Sequence, residues 1–217
     1  MISKNNITII GAGLSGPVMA TYLSNHGYEV DIYERRPDMR HIEQSAGRSI
    51  NLALSKRGIK ALKDIGVYKE IRTKMLPMEG RMIHDLDGST HLHPYGKKQD
   101  EVIYSISRSF LNITLMEFAE KNANTKIYFE HDLDSLDVIS NRLIFKNKKS
   151  FPYVRVLGSD GSSSIIRKSI NQFHPINYQK KPLLHGYKEL AIPPNDKGDF
   201  RLEPKALHIW PRGKFML

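Results

Sequence analysis

Ile7-Thr8-Ile9-Ile10-Gly11-Ala12-Gly13-Leu14-Ser15-Gly16 is the stretch whose reading decides the fold. The first four residues are a β-branched apolar run, as expected of a strand buried on both faces of a parallel sheet. The next six spell G-x-G-x-x-G. A helix should follow, with Leu14, Val18 and Tyr22 on one stripe and Met19 and Leu23 beside it. Pro17 is tolerated only in a first helical turn, where its missing N–H is not needed. Gly27 closes the helix, and Tyr28 to Tyr33 form a second strand ending at Glu34. Each glycine has a separate task. Gly11 permits a tight turn, Gly13 lets the backbone approach a pyrophosphate, and Gly16 lets the helix lie close to the strand. The helix N-terminus adds free N–H groups and positive dipole. Glu34 comes 18 residues after Gly16, near the roughly 20 expected for a carboxylate that grips a ribose hydroxyl. Strand, glycines, helix, strand and acid in this order mark a dinucleotide site. Glu34 favours a free 2′-hydroxyl, hence NAD or FAD, while Arg35 and Arg36 leave room for a 2′-phosphate.

Further along, an ordinary NAD domain would continue promptly with another helix and strand. Here a polar stretch from Arg36 to Gln44 intervenes. Ser49 to Leu54 reads as extended. Ser55 reads as the N-cap of a helix reaching about Thr73, with Ile59, Leu62, Ile65 and Ile71 at helical spacing and a break at Gly66. Arg81 to Leu86 reads as a strand turning at Asp87-Gly88. Val102 to Ser107 reads as another, and Arg108 precedes a helix carrying Leu111, Leu115, Phe118 and Ala119. Ile127 to Phe129 is strand-like, and 136–139 pairs with 142–145 around Ser140-Asn141. Strand 154–157 contains Arg155, odd in a buried parallel strand. It leads through Gly158-Ser159-Asp160-Gly161 into a helix from Ser162 to about Asn171. The last strand is Leu207 to Trp210, and Lys214 to Leu217 reads as an unpaired strand end. The order suggests an α/β nucleotide-binding sheet crossed by a β-meander.

With 217 residues, 40% of them hydrophobic, the chain can bury a real core, which excludes disorder, collagen and coiled coil. No apolar run approaches the ~18 residues of a membrane span. The N-terminus enters a strand with no room for a signal peptide, so the expected address is cytoplasmic. The absence of cysteine rules out disulfides, thiolate zinc sites and cysteine nucleophiles. The net charge of +10 permits nucleic-acid binding. Its Lys and Arg are scattered, however, and an anionic cofactor accounts for part of the excess, so no nucleic-acid partner is expected. His91 and His93 alternate onto one strand face, but two ligands without a third make no metal site. Read from the residues alone, Arg81 is a solvent-facing strand residue, Tyr95 a turn aromatic and Arg108 a surface charge before a helix.

Five segments together resemble the kynurenine 3-monooxygenase family of flavoprotein aromatic hydroxylases. They are Gly11–Gly16 with Tyr33-Glu34; Gly47-Arg48-Ser49-Ile50-Asn51-Leu52-Ala53-Leu54-Ser55; Pro77-Met78-Glu79-Gly80-Arg81-Met82-Ile83-His84; Tyr104-Ser105-Ile106-Ser107-Arg108 with Leu111-Asn112; and His185-Gly186-Tyr187-Lys188-Glu189-Leu190 with Leu207-His208-Ile209-Trp210-Pro211-Arg212. The resemblance implies a Rossmann-like FAD-binding βαβ domain of glutathione-reductase type, with a β-meander and the start of a mixed β-sheet substrate domain. It places the FAD-binding part in 1–75 and 101–172, and the substrate part in 76–100 and 173–217. It implies FAD as cofactor, NADPH as co-substrate and L-kynurenine as substrate, converted to 3-hydroxykynurenine in tryptophan degradation and NAD biosynthesis.

By the same resemblance, Gly11, Gly13, Ser15 and Gly16 hold the pyrophosphate, and Tyr33, Glu34, Arg35 and Arg36 surround the adenosine ribose. Ala53, Arg108 and Leu133 match further FAD contacts. Arg81 and Tyr95 match the pair that binds kynurenine, and Asp160 lies in an Asp-Gly motif used for flavin and nicotinamide. Ser159 departs from that motif, which has a small apolar residue or Cys there. No metal and no catalytic side chain is called for, because the cofactor carries the hard step. The Gly-Asp-Ala-Ala-His segment of the family does not occur. The chain is therefore expected to be an N-terminal portion, inactive alone, whose partner is the C-terminal half of the enzyme. Two other readings stay open: an NAD(P)-dependent oxidoreductase, and a non-catalytic nucleotide-binding remnant.

Overall fold

β1 (Asn6–Ile10) is buried at every position, because parallel neighbours flank it on both edges. In a computed structural model describing residues 3–42, 51–98, 100–175, 177–186, 188 and 190–217, β1 lies at the centre of the principal sheet. α1 (Ser15–Asn25) carries the chain from β1 to β2 (Glu29–Tyr33), which pairs with it in parallel, Ile9 opposite Ile32. Gly27, at φ +83°, reverses the chain after the helix, a conformation open to glycine without strain.

The face α1 turns to the sheet corrects the expected stripe. Its buried residues are Gly16, Pro17, Ala20, Thr21 and Ser24. Tyr22 and Met19 are 48% and 45% exposed. Leu14 and Val18 turn sideways onto a neighbouring apolar cluster, and only Leu23 reaches the β1–β2 core. The reason is distance. A Cβ on Gly16 would lie 2.0 Å from the Gly11 carbonyl oxygen, so the helix sits too close for large side chains. The buried Thr21 hydroxyl is satisfied by donating to the Pro17 carbonyl at 2.9 Å.

The next elements are β3 (Asn51–Leu54), α2 (Lys56–Asp64) and α3 (Tyr68–Arg72), the helices separated at Gly66 with φ +88°. Ser55 stands at the N-cap in extended conformation, but its side chain makes no capping bond. Leu62, Ile65, Val67 and Ile71 are buried with Ile106, Leu111 and Leu115. β4 (Leu76–Met78) was not anticipated, and Pro77 explains why: proline is tolerated here because β4 is an edge strand. β5 (Gly80–His84) and β6 (Thr90–Pro94) form a hairpin turning at Gly88, and β7 (Ile103–Ser107) runs between β3 and β4.

Ser107 caps α4 (Arg108–Glu120), its hydroxyl accepting from the Phe110 N–H at 3.3 Å. α4 leads into β8 (Thr125–Tyr128), the outer parallel neighbour of β2. The meander is β9 (Leu133–Asp137), β10 (Arg142–Phe145) and β11 (Ser150–Pro152). β9 stops at Asp137 rather than 139, because that carboxylate takes the N–H groups of Ile139 and Ser140, both at 3.0 Å.

β12 (Val156–Gly158) completes the order β12-β1-β2-β8. It is an edge strand and Arg155 precedes it, exposed, donating to the Lys4 carbonyl at 2.8 Å. The arginine is therefore not buried in the sheet. α5 (Ile165–Phe173) starts three residues later than the sequence suggested, with Ser164 as its cap. β13 (Ala206–Ile209) pairs in parallel with β5, Leu207 opposite Arg81, giving the separate sheet β13-β5-β6. The terminal residues are not left unpaired. Trp210 and Leu217 exchange backbone bonds of 3.0 and 3.3 Å, and Pro211 bridges to Met216. The Phe215 and Met216 side chains remain exposed.

The close approach of α1 gives a direct test. Gly16→Ala should lower the unfolding free energy by about 1–3 kcal/mol through overpacking. Gly13→Ala, whose Cβ meets nothing within 4 Å, should cost clearly less. Urea denaturation of both variants measures this, and equal losses would contradict the packing described.

Candidate functional site

A cavity of about 450 Å³ opens at the carboxyl ends of β1, β2 and β12. That is where open α/β sheets bind ligands, since the turns leaving the strands diverge there. The glycine turn supplies Gly11, Gly13, Leu14 and Ser15, and the end of β2 supplies Tyr33, Glu34, Arg35 and Arg36. Arg108 enters from the start of α4, Leu133 from the start of β9, and Ser159, Asp160 and Gly161 from the turn after β12. Sequence positions more than 140 apart thus meet around one hollow.

The three motif glycines are constrained differently. Gly11 has φ +104°, and a Cβ there would sit 2.6 Å from the Ser159 carbonyl oxygen. Gly16 is not among the residues lining the cavity; it is fixed by the contact with Gly11 already described. Gly13 is limited by nothing among the described residues: its Cβ would meet no atom within 4 Å at the cavity wall.

Glu34 is 5% exposed yet carries its charge. Burial pushes its pKa up, but hydrogen bonds from the Arg36 side chain and from the Arg36 and Ala12 amides outweigh it, so the net shift is downward. The Ala12 N–H reaches Oε2 at 2.8 Å, and the Arg36 N–H and Nε reach Oε1 at 2.9 and 2.8 Å. Arg36 Nη2 also reaches Oε2, at 3.3 Å, so the roughly four acceptor positions of the carboxylate are all engaged, and a hydroxyl donor would take the place of that long Nη2 bond.

Beside Glu34, Tyr33 stacks on Tyr128 at 5.0 Å, with Phe145 and His131 at 5.1 and 5.4 Å. Burial and the nearby Asp31 charge push its phenol up to about 12. It stays a neutral donor at physiological pH.

Asp160 lines the cavity and also anchors α5, its Oδ2 accepting from the Ile165 and Ile166 amides at 2.6 and 3.3 Å. The Ser159 hydroxyl donates to the Gly11 carbonyl at 2.7 Å. The departure from a small apolar residue therefore buries no unpaired polar group.

His131, Asp132, Ser163 and Ile165 also line the cavity and were missed in the sequence. His131 lies in a loop whose preceding residue, Glu130, has φ +57°. Backbone bonds from Glu130 to the Arg36 carbonyl and from His131 to the Glu34 carbonyl hold that loop on the end of β2. No periodicity signals such a placement. The His131 Nδ1 is 2.6 Å from the Phe129 carbonyl oxygen. A carbonyl only accepts, so Nδ1 carries the proton.

Ala53 is not brought to the cavity. It lies exposed on β3, opposite Ser105. Gly47 to Ile50, Tyr187 and Glu189 lie outside the described residues.

Arg81 and Tyr95 come together, but in the other sheet. The Arg81 guanidinium sits 5.0 Å from the Tyr95 ring centre. The Tyr95 hydroxyl is buried with no hydrogen-bond partner among the described residues. Burial raises its pKa, partly countered by Arg81. His91 faces Asp85 at 3.2 Å, and no cluster of metal-ligating side chains forms among the described residues. Nor is any described helix long and apolar enough to cross a membrane.

Comparison with known proteins agrees with this geometry. The kynurenine 3-monooxygenase of Stenotrophomonas maltophilia is 41% identical over 219 residues, covering 99% of this chain and 48% of that protein. The kynurenine 3-monooxygenase of Legionella pneumophila is 43% identical over 216 residues, covering 98% and 48%. The chain thus spans about half the length of the curated relatives it matches. Among solved structures, PqsL from P. aeruginosa in complex with 2-aminobenzoylacetate aligns with TM-score 0.65 at 17% identity, over 82% of this chain and 48% of that one. The p-nitrophenol 4-monooxygenase PnpA from Pseudomonas putida aligns with TM-score 0.63 at 17% identity, over 76% and 42%. These two likenesses concern the fold alone. The family described as FAD binding domain matches residues 4–175, which takes in every element lining the cavity, and the chain belongs to that family.

Proposed function

We propose that this chain forms the FAD-binding part, and part of the substrate floor, of a kynurenine 3-monooxygenase of glutathione-reductase-type fold. The observation that carries the reading is Gly13. No described residue comes within 4 Å of its Cβ position at the cavity wall, and a ligand approaching the backbone there accounts for glycine. The cavity residues fit FAD. The first turn of α1, with Gly13 and Ser15, meets a pyrophosphate with N–H groups and helix dipole. Ionised Glu34 accepts from a ribose hydroxyl, and Tyr33, Arg35 and Arg36 border it. Gly11 and Gly16 shape the turn, and Arg108, Leu133 and Asp160 line the remainder. Ala53 stays in the proposal on resemblance alone.

When bound, FAD supplies the electron transfer and oxygen activation that aromatic hydroxylation needs. The proposed overall reaction takes L-kynurenine, O₂, NADPH and a proton to 3-hydroxykynurenine, NADP⁺ and water. The chain's own residues bind and orient. Arg81 presents a planar fork suited to a carboxylate, and the Tyr95 ring holds it in place. The Tyr95 hydroxyl, buried and without a partner among the described residues, is the second polar group proposed for the substrate. β13, from the 173–217 stretch, pairs with β5, from 76–100. That pairing supports grouping these two stretches as the substrate part, with 1–75 and 101–172 as the FAD-binding part. The address proposed with this reading is cytoplasmic.

Titration of the purified chain with FAD, followed by flavin fluorescence, tests the cofactor. Weak but saturable binding is expected of the chain alone, and Gly13→Val should abolish it while leaving the circular-dichroism spectrum unchanged. Parent-like flavin binding by the variant would move the site elsewhere.

For the substrate, Arg81→Ala in a full-length enzyme carrying this chain should weaken kynurenine binding by roughly 1.5–3 kcal/mol, the worth of a hydrogen bond to a charged group. FAD content should not change. Kynurenine affinity equal to the parent's would make Arg81 a surface residue.

A further inference from the structure

Asn112 is 5% exposed on α4, between Leu111, Leu115 and Met116 of the apolar clusters. An amide in such a place needs a reason, since burying polar atoms costs stability unless they are paired. Its nitrogen donates to the Ala12 carbonyl at 3.2 Å and lies 3.1 Å from the Met39 sulfur. Its oxygen has no partner among the described residues. Flipping the amide would set two acceptors against each other, so the donor must face Ala12. The side chain thus keeps one orphaned acceptor in order to make one bond to the glycine turn.

That bond fixes a particular peptide plane. In a trans peptide the C=O and the following N–H point in opposite directions. With the Ala12 carbonyl drawn to α4, the Gly13 N–H is turned away from α4. Gly13 lines the cavity, and its N–H has no backbone acceptor among the described residues. The preceding N–H, that of Ala12, is already occupied by Glu34 at 2.8 Å. Ala12 is therefore held at both ends, by Glu34 from β2 and by Asn112 from α4. We propose that Asn112 is a positioning residue of the dinucleotide site, holding the Ala12–Gly13 peptide so that the Gly13 N–H faces the cavity and receives a phosphate oxygen.

This rests on the cavity being the FAD site, and the test separates the two claims. The chain is titrated with FAD by fluorescence and with ADP by ¹H–¹⁵N NMR, as parent, Asn112→Leu and Met39→Leu. In the parent, the Gly13 amide proton should move downfield on ADP saturation. Asn112→Leu is close in size and removes the orphaned acceptor, but it also leaves the buried Ala12 carbonyl without this donor, so its thermal midpoint without ligand should fall modestly. Its FAD affinity should drop by about tenfold or more, as expected for a lost hydrogen bond to a charged group, and its Gly13 amide should lose the downfield shift. Met39→Leu should stay within about twofold of the parent, since the sulfur is at best a weak acceptor.

FAD affinity of Asn112→Leu within about twofold of the parent overturns the role of Asn112 and leaves the site standing. So does a common fall in affinity and stability with the Gly13 shift retained. A parent Gly13 amide that ignores bound ADP overturns it without any variant, should Asn112→Leu fail to fold. Absence of saturable FAD and ADP binding by the parent overturns both claims.

Discussion

At the turn between β1 and α1, the backbone of Gly16 meets the carbonyl of Gly11 so closely that no Cβ fits between them, and Gly11 in turn abuts the Ser159 carbonyl. This crowding propagates. It draws α1 onto the sheet, so the buried face of the helix is built from Gly, Pro, Ala, Thr and Ser rather than Leu and Tyr. It turns Leu14 and Val18 sideways, where they join the apolar cluster that α2, α3, β7 and α4 build. It also ties the turn after β12 to the turn after β1, through the Ser159 hydroxyl. The cavity is the space left where these crowded turns diverge from β2.

The ring of aromatic side chains behind Tyr33 does the corresponding work on the other wall. Ile10 and Tyr33 from the parallel sheet share one cluster with Leu133, Leu136, Leu143 and Phe145 from the meander and Ile166 from α5. The meander is thereby packed over the strand ends, and the start of β9 enters the cavity as Leu133. Rigid stacking fixes where the Tyr33 hydroxyl and the neighbouring Glu34 carboxylate can be. Glu34 stays ionised although nearly buried, because Arg36 and two backbone amides supply what water would have supplied.

Much of this was legible in the residues. The β-branched run, the spaced glycines and Glu34 reveal the βαβ unit because each answers to a local rule of strand, turn or helix. The inner face of α1 was not legible. Apolar periodicity points at Tyr22, whereas a backbone contact set by Gly16 decides which face is inside. β4 and β11 escaped because three-residue edge strands containing Pro77 and Pro152 carry almost no alternation. His131 escaped because its place depends on the left-handed Glu130 and on backbone bonds to β2. The pairing of Arg81 with Tyr95 follows from no spacing in the chain; resemblance alone suggested it, and strand register brings the two together.

The two sheets use one device at their polar ends. In the nucleotide sheet, Ala12 is gripped through its N–H by Glu34 and through its carbonyl by Asn112. In the other sheet, Glu79 is gripped through its N–H by the Lys205 carbonyl at 2.8 Å and through its carbonyl by the Tyr95 N–H at 3.0 Å. Each grip joins elements far apart in sequence and fixes the residue that follows: Gly13 at the cavity wall, and Gly80 leading directly into Arg81. At Gly80, unlike Gly13, there is no room for a side chain, since a Cβ would run into the His93 carbonyl oxygen. A residue gripped in this way has few ways to relax, because its own N–H and C=O are both committed. In both places bonds from distant elements fix the backbone, and Arg81 starts from a held Cα and rests on the ring of Tyr95.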